Sequence, residues 1–309
     1  MVFSRRTFLK ISGLTGALVA APRPGAGAPS GEDPEPAEGA TAVGCLVDTT
    51  LCIGCRKCEE ACNLRNQLRR PSVSFADRTV FRRERRPAES AFTVVNEYPG
   101  PPSPDQPFVR QTYVKVQCLH CLTPACVSAC IVGAMTRAKD GAVVYNPRVC
   151  IGCRYCMIAC PFQIPAYEYA DALKPRVRKC EFCASQEKGT GANPACAAAC
   201  PTEALVFGGR TSLLALARDR LSKRPDRYLD RIYGETEAGG TSWLYLTGRR
   251  SAEVGLIDVP PNSPAARTEA IQHGIFRYGL VPFAVYGALG GILWANERKA
   301  RRATEKSDE

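Results

Sequence analysis

Sixteen of the seventeen cysteines fall into four short motifs, and this clustering constrains the fold more than any other feature of the sequence. Each motif begins with C-x-x-C and ends with C-x-x-x-C. The four motifs contain, in chain order, Cys52, Cys55, Cys58 and Cys62; Cys118, Cys121, Cys126 and Cys130; Cys150, Cys153, Cys156 and Cys160; and Cys180, Cys183, Cys196 and Cys200. Cys45 alone lies outside them. A disulfide framework is typical of short secreted scaffolds, whereas a chain of 309 residues can bury a core without one, so the clusters indicate metal binding.

The spacing favours iron-sulfur clusters over zinc. The third motif, CIGCRYCMIACP, has the C-x2-C-x2-C-x3-C-P pattern of two-cluster bacterial ferredoxins. In that pattern the fourth cysteine binds the other cluster, so Cys160 is predicted to serve a neighbouring site. Zinc ribbons instead join two C-x-x-C pairs over a spacer. We therefore predict four [4Fe-4S] clusters, with zinc and disulfides as the alternatives.

Short apolar runs alternate with short helical segments around the motifs. The pattern predicts strands in TYVKVQC, GAVVYN and EALVFGG, and helices in EACNL, VSACIVGAM and AAACPTEAL. This is the hairpin-plus-helix unit of two-cluster ferredoxins, and it occurs twice. The predicted fold is therefore α+β, with two tandem two-cluster ferredoxin-like units and long loops. The segment TSLLALARDRLSK predicts an amphipathic helix packed beside the second unit, with Thr211 as its N-cap.

The formal net charge of +11 suggests a nucleic-acid partner at first sight. Removal of residues 1–28 would take away Arg5, Arg6, Lys10 and Arg23 without any acid, which leaves +7. Four thiolate-ligated clusters would each add about −2, so the mature total falls to about −1. The charge therefore gives no support to nucleic-acid binding.

The two ends of the chain predict export and a membrane anchor. Arg5 and Arg6 precede a weakly apolar stretch and small residues near position 28, which predicts a twin-arginine signal peptide over residues 1–28. An ordinary Sec signal or a cytosolic amphipathic start is the alternative. The uncharged run from Gly279 to Ala295 is followed by NERKARR, which predicts a single transmembrane anchor over 273–297, with a buried or interfacial helix as the alternative. The expected location is the periplasmic side of the cytoplasmic membrane.

These predictions divide the chain into six segments. They are the signal peptide at 1–28, a disordered linker rich in Pro, Gly and acidic residues at 29–41, a four-cluster ferredoxin-like domain at 42–210, a helix and strand extension at 211–272, the anchor at 273–297 and a cytoplasmic basic tail at 298–309.

The motifs also carry a family resemblance. CRYCMIACPFQIPAYEY and CPTEALVFGGR resemble the four-cluster electron-transfer subunits that accompany molybdenum enzymes such as formate dehydrogenase and dimethyl sulfoxide reductase. The N-terminal signal, IYGETEAGGTSWLYLTG, IQHGIFRYGLVP and the C-terminal segment are most similar to the iron-sulfur subunit of periplasm-facing nickel-iron hydrogenases of the hydrogenase-2 type. The resemblance covers nearly all of the mature chain.

The resemblance implies an electron-transfer subunit without a catalytic site of its own. It would relay electrons between a periplasmic nickel-iron hydrogenase and the membrane quinone pool. The implied partners are the hydrogenase small and large subunits and an integral membrane subunit that reacts with quinone, and nucleic acid is not among them. A molybdopterin catalytic subunit, such as that of a formate dehydrogenase, is the alternative partner, and a metal-folded structural module is a remote alternative function.

The resemblance also implies how the ligands are shared, because in that family the first motif pairs with the fourth and the second with the third. The implied ligand sets are set A (Cys52, Cys55, Cys58 and Cys200), set B (Cys62, Cys180, Cys183 and Cys196), set C (Cys118, Cys121, Cys126 and Cys160) and set D (Cys130, Cys150, Cys153 and Cys156). Cys45 is expected to be a buried thiol outside these sets. His120 is expected to be a turn residue beside a cluster.

Overall fold

The computed structural model of this chain describes residues 42–100, 111–183, 193–278 and 280–305. These residues divide into two compact units, with the boundary between Ala270 and Ile271. The larger unit contains all seventeen cysteines. The predicted signal peptide at 1–28 and the predicted linker at 29–41 lie outside the described residues.

Short strands and short helices alternate along the larger unit. The strands of the described residues are β1 (Val43–Asp48), β2 (Thr93–Pro99), β3 (Gln111–Gln117), β4 (Met135–Arg137), β5 (Val143–Tyr145), β6 (Ala166–Tyr167), β7 (Val177–Arg178), β8 (Leu205–Gly209) and β9 (Trp243–Leu246). The α-helices of the described residues are α1 (Lys57–Arg65), α2 (Ala125–Ser128), α3 (Tyr155–Ala159), α4 (Ala195–Ala198), α5 (Arg210–Lys223), α6 (Ala265–Tyr278) and α7 (Leu280–Glu305). The last of these, α7, belongs to the smaller unit. The α+β content agrees with the sequence-based prediction.

Strand β1 joins distant parts of the chain. It is the middle strand of a three-stranded sheet, antiparallel to β8 with Val43 opposite Gly209, and parallel to β9 with Cys45 opposite Trp243. Five of its six residues are buried, as expected for a strand that is covered on both faces. β1 therefore fixes the start of the cysteine-rich domain against the end of the fourth motif and against the C-terminal extension.

The other strands form two-stranded antiparallel ribbons, β2 with β3, β4 with β5, and β6 with β7. A strand precedes each motif, because β1, β3, β5 and β7 end a few residues before the first cysteine of motifs one to four. A short helix then carries the third cysteine of each motif. The predicted helices VSACIVGAM and AAACPTEAL are wrong in extent, since α2 and α4 end before the fourth cysteine.

Two apolar clusters stabilise the larger unit. The first surrounds Trp243 and Tyr245 and includes many of the cysteines. The second lies between α5 and the sheet, where Leu213 and Leu214 pack against Leu46, Leu244 and Leu246. The amphipathic helix predicted from TSLLALARDRLSK is confirmed as α5, although its N-cap is Gly209 and not Thr211.

The predicted transmembrane anchor over 273–297 is wrong, because no helix among the described residues is both long and apolar enough to cross a membrane. The uncharged part of α7 runs only from Leu280 to Ala295, and Pro282 and three glycines reduce its apolar surface. Sixteen helical residues rise about 24 Å, which is less than the roughly 30 Å of a bilayer's hydrocarbon core. The fold class is corrected to α+β, with no transmembrane helix among the described residues. The predicted localisation, a single-pass protein on the periplasmic side, is corrected for the same reason.

A buried carboxylate connects α1 to the β2–β3 ribbon. Both oxygens of Glu59 accept hydrogen bonds, from the Val95 backbone N–H at 2.7 Å, from Arg85 Nη2 at 2.6 Å and from Arg56 Nη2 at 3.0 Å. The Glu59 side chain is only 3% exposed. Since α1 carries Cys58 and Cys62, this network also fixes part of the first motif.

Replacement of Glu59 by Ala should reduce the free energy of unfolding by about 3–5 kcal/mol, because it leaves the buried Arg56 and the partly buried Arg85 without their carboxylate partner. The neighbouring Glu60→Ala is the matched control, since Glu60 pairs with Lys57 at the surface and its loss should change stability only slightly. Urea unfolding followed by far-UV circular dichroism under nitrogen measures both. Equal effects of the two substitutions would contradict the assignment.

Candidate metal centres

The four C-x-x-C segments share one backbone turn. The residue before the second cysteine has a positive φ in every motif: 68° at Gly54, 49° at His120, 71° at Gly152 and 59° at Phe182. At Gly54 a Cβ atom would overlap the ring of Tyr113, so both space and conformation require glycine there. The repeat predicted from cysteine spacing is therefore also a repeat of backbone geometry.

This turn directs backbone N–H groups toward sulfur. The N–H of Gly152 donates to Cys150 Sγ and that of Phe182 donates to Cys180 Sγ, both at 3.4 Å. Near the end of the second motif, the N–H of Ala134 donates to Cys130 Sγ at 3.1 Å. Such hydrogen bonds stabilise a thiolate, which is the form that binds metal.

Burial opposes ionisation of these thiols. It raises the pKa of Cys52 to about 11, although the Gly54 N–H acts in the other direction. It likewise raises the pKa of Cys180 to about 12, although the Lys115 ammonium lowers it. Buried thiolates therefore need positive charge beside them, and the core of a bound iron-sulfur cluster supplies it.

The thiols remain available for such binding. All seventeen cysteines lie within the described residues and all are free thiols, so the disulfide alternative is wrong. In the same ranges, no three His, Cys, Asp or Glu side chains are placed to hold a single metal ion.

One cavity gathers thiols from two motifs. Its lining includes all four cysteines of set B, together with the side chains of Lys115 and Trp243. The members of this set are Cys62, Cys180, Cys183 and Cys196. The last cysteine of the first motif thus meets three cysteines of the fourth motif across the fold, and helices α1 and α4 pack together at the same place.

In the other three sets, too, thiols from different motifs lie close enough to influence one another's pKa. After burial itself, Cys200 and Cys55 raise the pKa of Cys52. In set C the pKa of Cys121 is raised by burial and then by Cys160, Cys126 and Cys118. In set D the pKa of Cys156 is raised to about 12 by burial and then by Cys130, Cys153 and Cys150. The fourth cysteine of each motif therefore lies beside thiols of another motif, as the implied sets require.

Electrostatic interactions between thiols give the implied sets an order. Cys58 of set A lies close enough to Cys196 of set B for the thiolate charge of one to raise the pKa of the other, after the larger effects of burial and Lys115. In the same way, the charge of Cys118 in set C raises the pKa of Cys180 in set B. The charge of Cys156 in set D raises the pKa of Cys126 in set C. The order is A, B, C, D. The two exposed cysteines lie at opposite ends of this order, Cys55 in set A and Cys153 in set D.

Cys45 and His120 lie beside the sets without joining them. Cys45 is fully buried in β1 near thiols of sets A and B. His120 is also fully buried, its Nδ1 accepts a hydrogen bond from the Val143 N–H at 2.9 Å, and its ring meets the edge of Phe182 at 4.8 Å. Cys45 is thus buried, as the sequence predicted, and His120 lies in the C-x-x-C turn with a positive φ.

The sequence analysis missed two buried lysines. Lys115 and Lys179 are each 2% exposed, and their charges lower the pKa of thiols in the sets. A signal was present, because Lys115 interrupts the apolar strand TYVKVQC and Lys179 directly precedes Cys180. Their ammonium groups place positive charge where the thiolates need it.

Comparison with known proteins agrees with this geometry. Residues 109–210 match the family described as a 4Fe-4S dicluster domain. The chain is 42% identical to a protein of Nitratidesulfovibrio vulgaris over 99% of this chain and 80% of that protein. It is 33% identical to the hydrogenase-2 operon protein HybA of Escherichia coli O157:H7 over 96% of both chains. It is 30% identical to the formate dehydrogenase-O iron-sulfur subunit of Escherichia coli K12, over 78% of this chain and 77% of that subunit. The chain therefore belongs to the family of 4Fe-4S proteins that includes the hydrogenase-2 operon protein HybA.

Proposed function

We propose that this chain is the iron-sulfur electron-transfer subunit of a hydrogenase complex, with one [4Fe-4S] cluster held by each of sets A, B, C and D. The observation that supports the proposal is the position of the fourth cysteine of each motif, which lies beside thiols of another motif. The 33% identity to the hydrogenase-2 operon protein HybA over 96% of both chains supports the choice of hydrogenase.

In this function the protein binds the clusters, shields them from water and sets their reduction potentials. A [4Fe-4S] cluster gains and loses one electron at a time, and its reduction potential depends on hydrogen bonds to sulfur, nearby charge and solvent exposure. The turns after each first cysteine supply N–H donors, as at Gly152 and Phe182. The apolar cluster around Trp243 and Tyr245 keeps water away from the inner sets B and C.

The two ends of the order provide faces for partners. Next to Cys55, a cavity is lined by charged groups such as Lys57 and Arg70. Next to Cys153, Ile151 and the nearby Ile158 are 61% and 81% exposed. One end would receive electrons from the hydrogenase small and large subunits. The other would pass them to an integral membrane subunit that reacts with quinone.

A molybdopterin enzyme is the second candidate for the catalytic partner, because the formate dehydrogenase-O iron-sulfur subunit is 30% identical over 78% of this chain. Affinity purification of the tagged chain from its own cells, followed by metal analysis, separates the two. Nickel in the purified complex supports the hydrogenase partner. Molybdenum without nickel would contradict it.

The cluster-loaded chain, purified anaerobically, should be brown, should bleach when dithionite is added, and should contain about sixteen iron atoms. Visible spectroscopy together with iron and sulfide analysis provides the measurement. A colourless protein with far less iron would overturn the proposed function, and zinc in place of iron would favour a structural module.

Cys160→Ala should remove one of the four cluster signals and about a quarter of the iron, because it deletes a ligand of set C. The signal lost should be the one that Cys118→Ala removes, whereas Cys150→Ala, in the same motif as Cys160, should remove another. EPR spectra of dithionite-reduced samples and iron analysis report both results.

Cys45→Ala is the matched control, since Cys45 is buried near the clusters but belongs to no set. It should retain all four signals. Retention of four clusters by Cys160→Ala, or loss of the same signal in Cys160→Ala and Cys150→Ala, would refute the ligand sets.

A further inference from the structure

Lys115 is a buried lysine beside the thiols of set B. It lies in β3, and its side chain lines the cavity that contains all four thiols of set B. Its Nζ atom donates a hydrogen bond to Gln117 Oε1 at 2.8 Å and lies 4.2 Å from the centre of the Trp243 ring. The ammonium group is therefore held inside the protein, where lysine side chains are rare.

A closed series of hydrogen bonds fixes that position. Gln117 Nε2 donates to Tyr245 Oη at 2.7 Å, and Tyr245 Oη donates to the Lys115 backbone carbonyl at 2.8 Å. Gln117 and Tyr245 are fully buried. Because Gln117 is anchored on its other side by Tyr245, it holds the Lys115 ammonium in one place beside the cavity.

The counter-charges of Lys115 are sulfur atoms. Among the described residues, no carboxylate forms an ion pair with it. Burial lowers the pKa of the ammonium, but the charges of Cys196, Cys58 and Cys180 raise it by more, so the pKa is raised overall. Two of these three thiols belong to set B and one to set A. A buried ammonium needs such partners, because an unpaired charge in the interior is very unfavourable.

We propose that Lys115 sets the electron affinity of the centre held by set B, by placing a fixed positive charge beside its sulfur ligands. The inference rests on the proposed function. Reduction adds one negative charge to a cluster, and a nearby cation in a poorly polarisable interior favours the reduced form. Lys115 therefore makes set B a more favourable position for the electron than it would otherwise be.

Redox titration of the cluster-loaded full-length chain tests this role. Dithionite supplies the electrons through mediators, ferricyanide removes them, and EPR follows each of the four components. Lys115→Met should lower the equilibrium constant for one-electron reduction of one component at least tenfold, which corresponds to a shift of about 59 mV to lower potential. The reduction potentials of the components from sets C and D should not change.

The controls separate charge from packing. Lys57→Met removes the same charge from an exposed side chain in the first motif, where water and salt screen it, so every component should shift less than about twofold. Lys115→Arg retains the charge and should keep the wild-type potentials, whereas Lys115→Gln, which replaces the ammonium with a neutral polar group, should shift the same component as Lys115→Met. The Gln variant also provides the result if Lys115→Met does not assemble its clusters.

The outcomes distinguish this inference from the proposed function. If wild-type protein contains no reducible clusters, the proposed function fails. If wild-type protein shows four components and Lys115→Gln shifts none of them beyond the effect of Lys57→Met, the role of Lys115 is overturned. A shift in Lys115→Arg as large as that in the neutral variants would show that packing, and not charge, is responsible.

Discussion

The larger unit depends on the balance of charge around buried sulfur. Thiols such as Cys52 and Cys180 lie where burial raises their pKa, yet metal binding requires them as thiolates. Backbone N–H groups and the ammonium of Lys115 reduce the cost of ionisation, and bound clusters would remove the rest. Cys180 and several other cysteines also belong to the apolar core around Trp243 and Tyr245. Cluster binding and folding of this core are therefore expected to be one process.

The proposed exchange of cysteines between motifs is consistent with the chain topology. Strand β1 pairs with β8, which brings the first motif beside the fourth, and α1 packs on α4. The second and third motifs follow one another closely and meet through α2 and α3. The motif pairs are thus nested, with the second and third between the first and fourth in sequence. This nesting supports the proposed order of sets A, B, C and D, because the charge of Cys118, in the inner pair, acts on Cys180, in the outer pair.

Local patterns in the sequence predict much of this architecture, and long-range contacts account for what they miss. Spacing alone identified the four motifs, and apolar alternation located β3, β5 and β8. The apolar strand around Lys115 indicates its burial, but the partners of its ammonium group were not predictable, because Gln117 is itself fixed by Tyr245, more than a hundred residues away. The N-cap of α5 was misplaced because strand β8 leads directly into the helix at Gly209. The uncharged run near the C-terminus suggested a membrane span, but the described helix has too little continuous apolar length.

The shared turn also explains a difference between the outer and inner sets. The motifs that supply most ligands of the outer sets A and D place Gly54 and Gly152 at the left-handed position, where glycine carries no steric cost. The motifs that supply most ligands of the inner sets use His120 and Phe182 at that position, at a cost of about 1–2 kcal/mol each. Their rings meet edge to face at 4.8 Å, and Phe182 also lies against Trp243 at 5.5 Å. Packing in this water-free junction offsets the backbone strain. The residue type at one turn position therefore distinguishes the two motifs that contain an exposed cysteine, Cys55 or Cys153, from the two motifs that contain none.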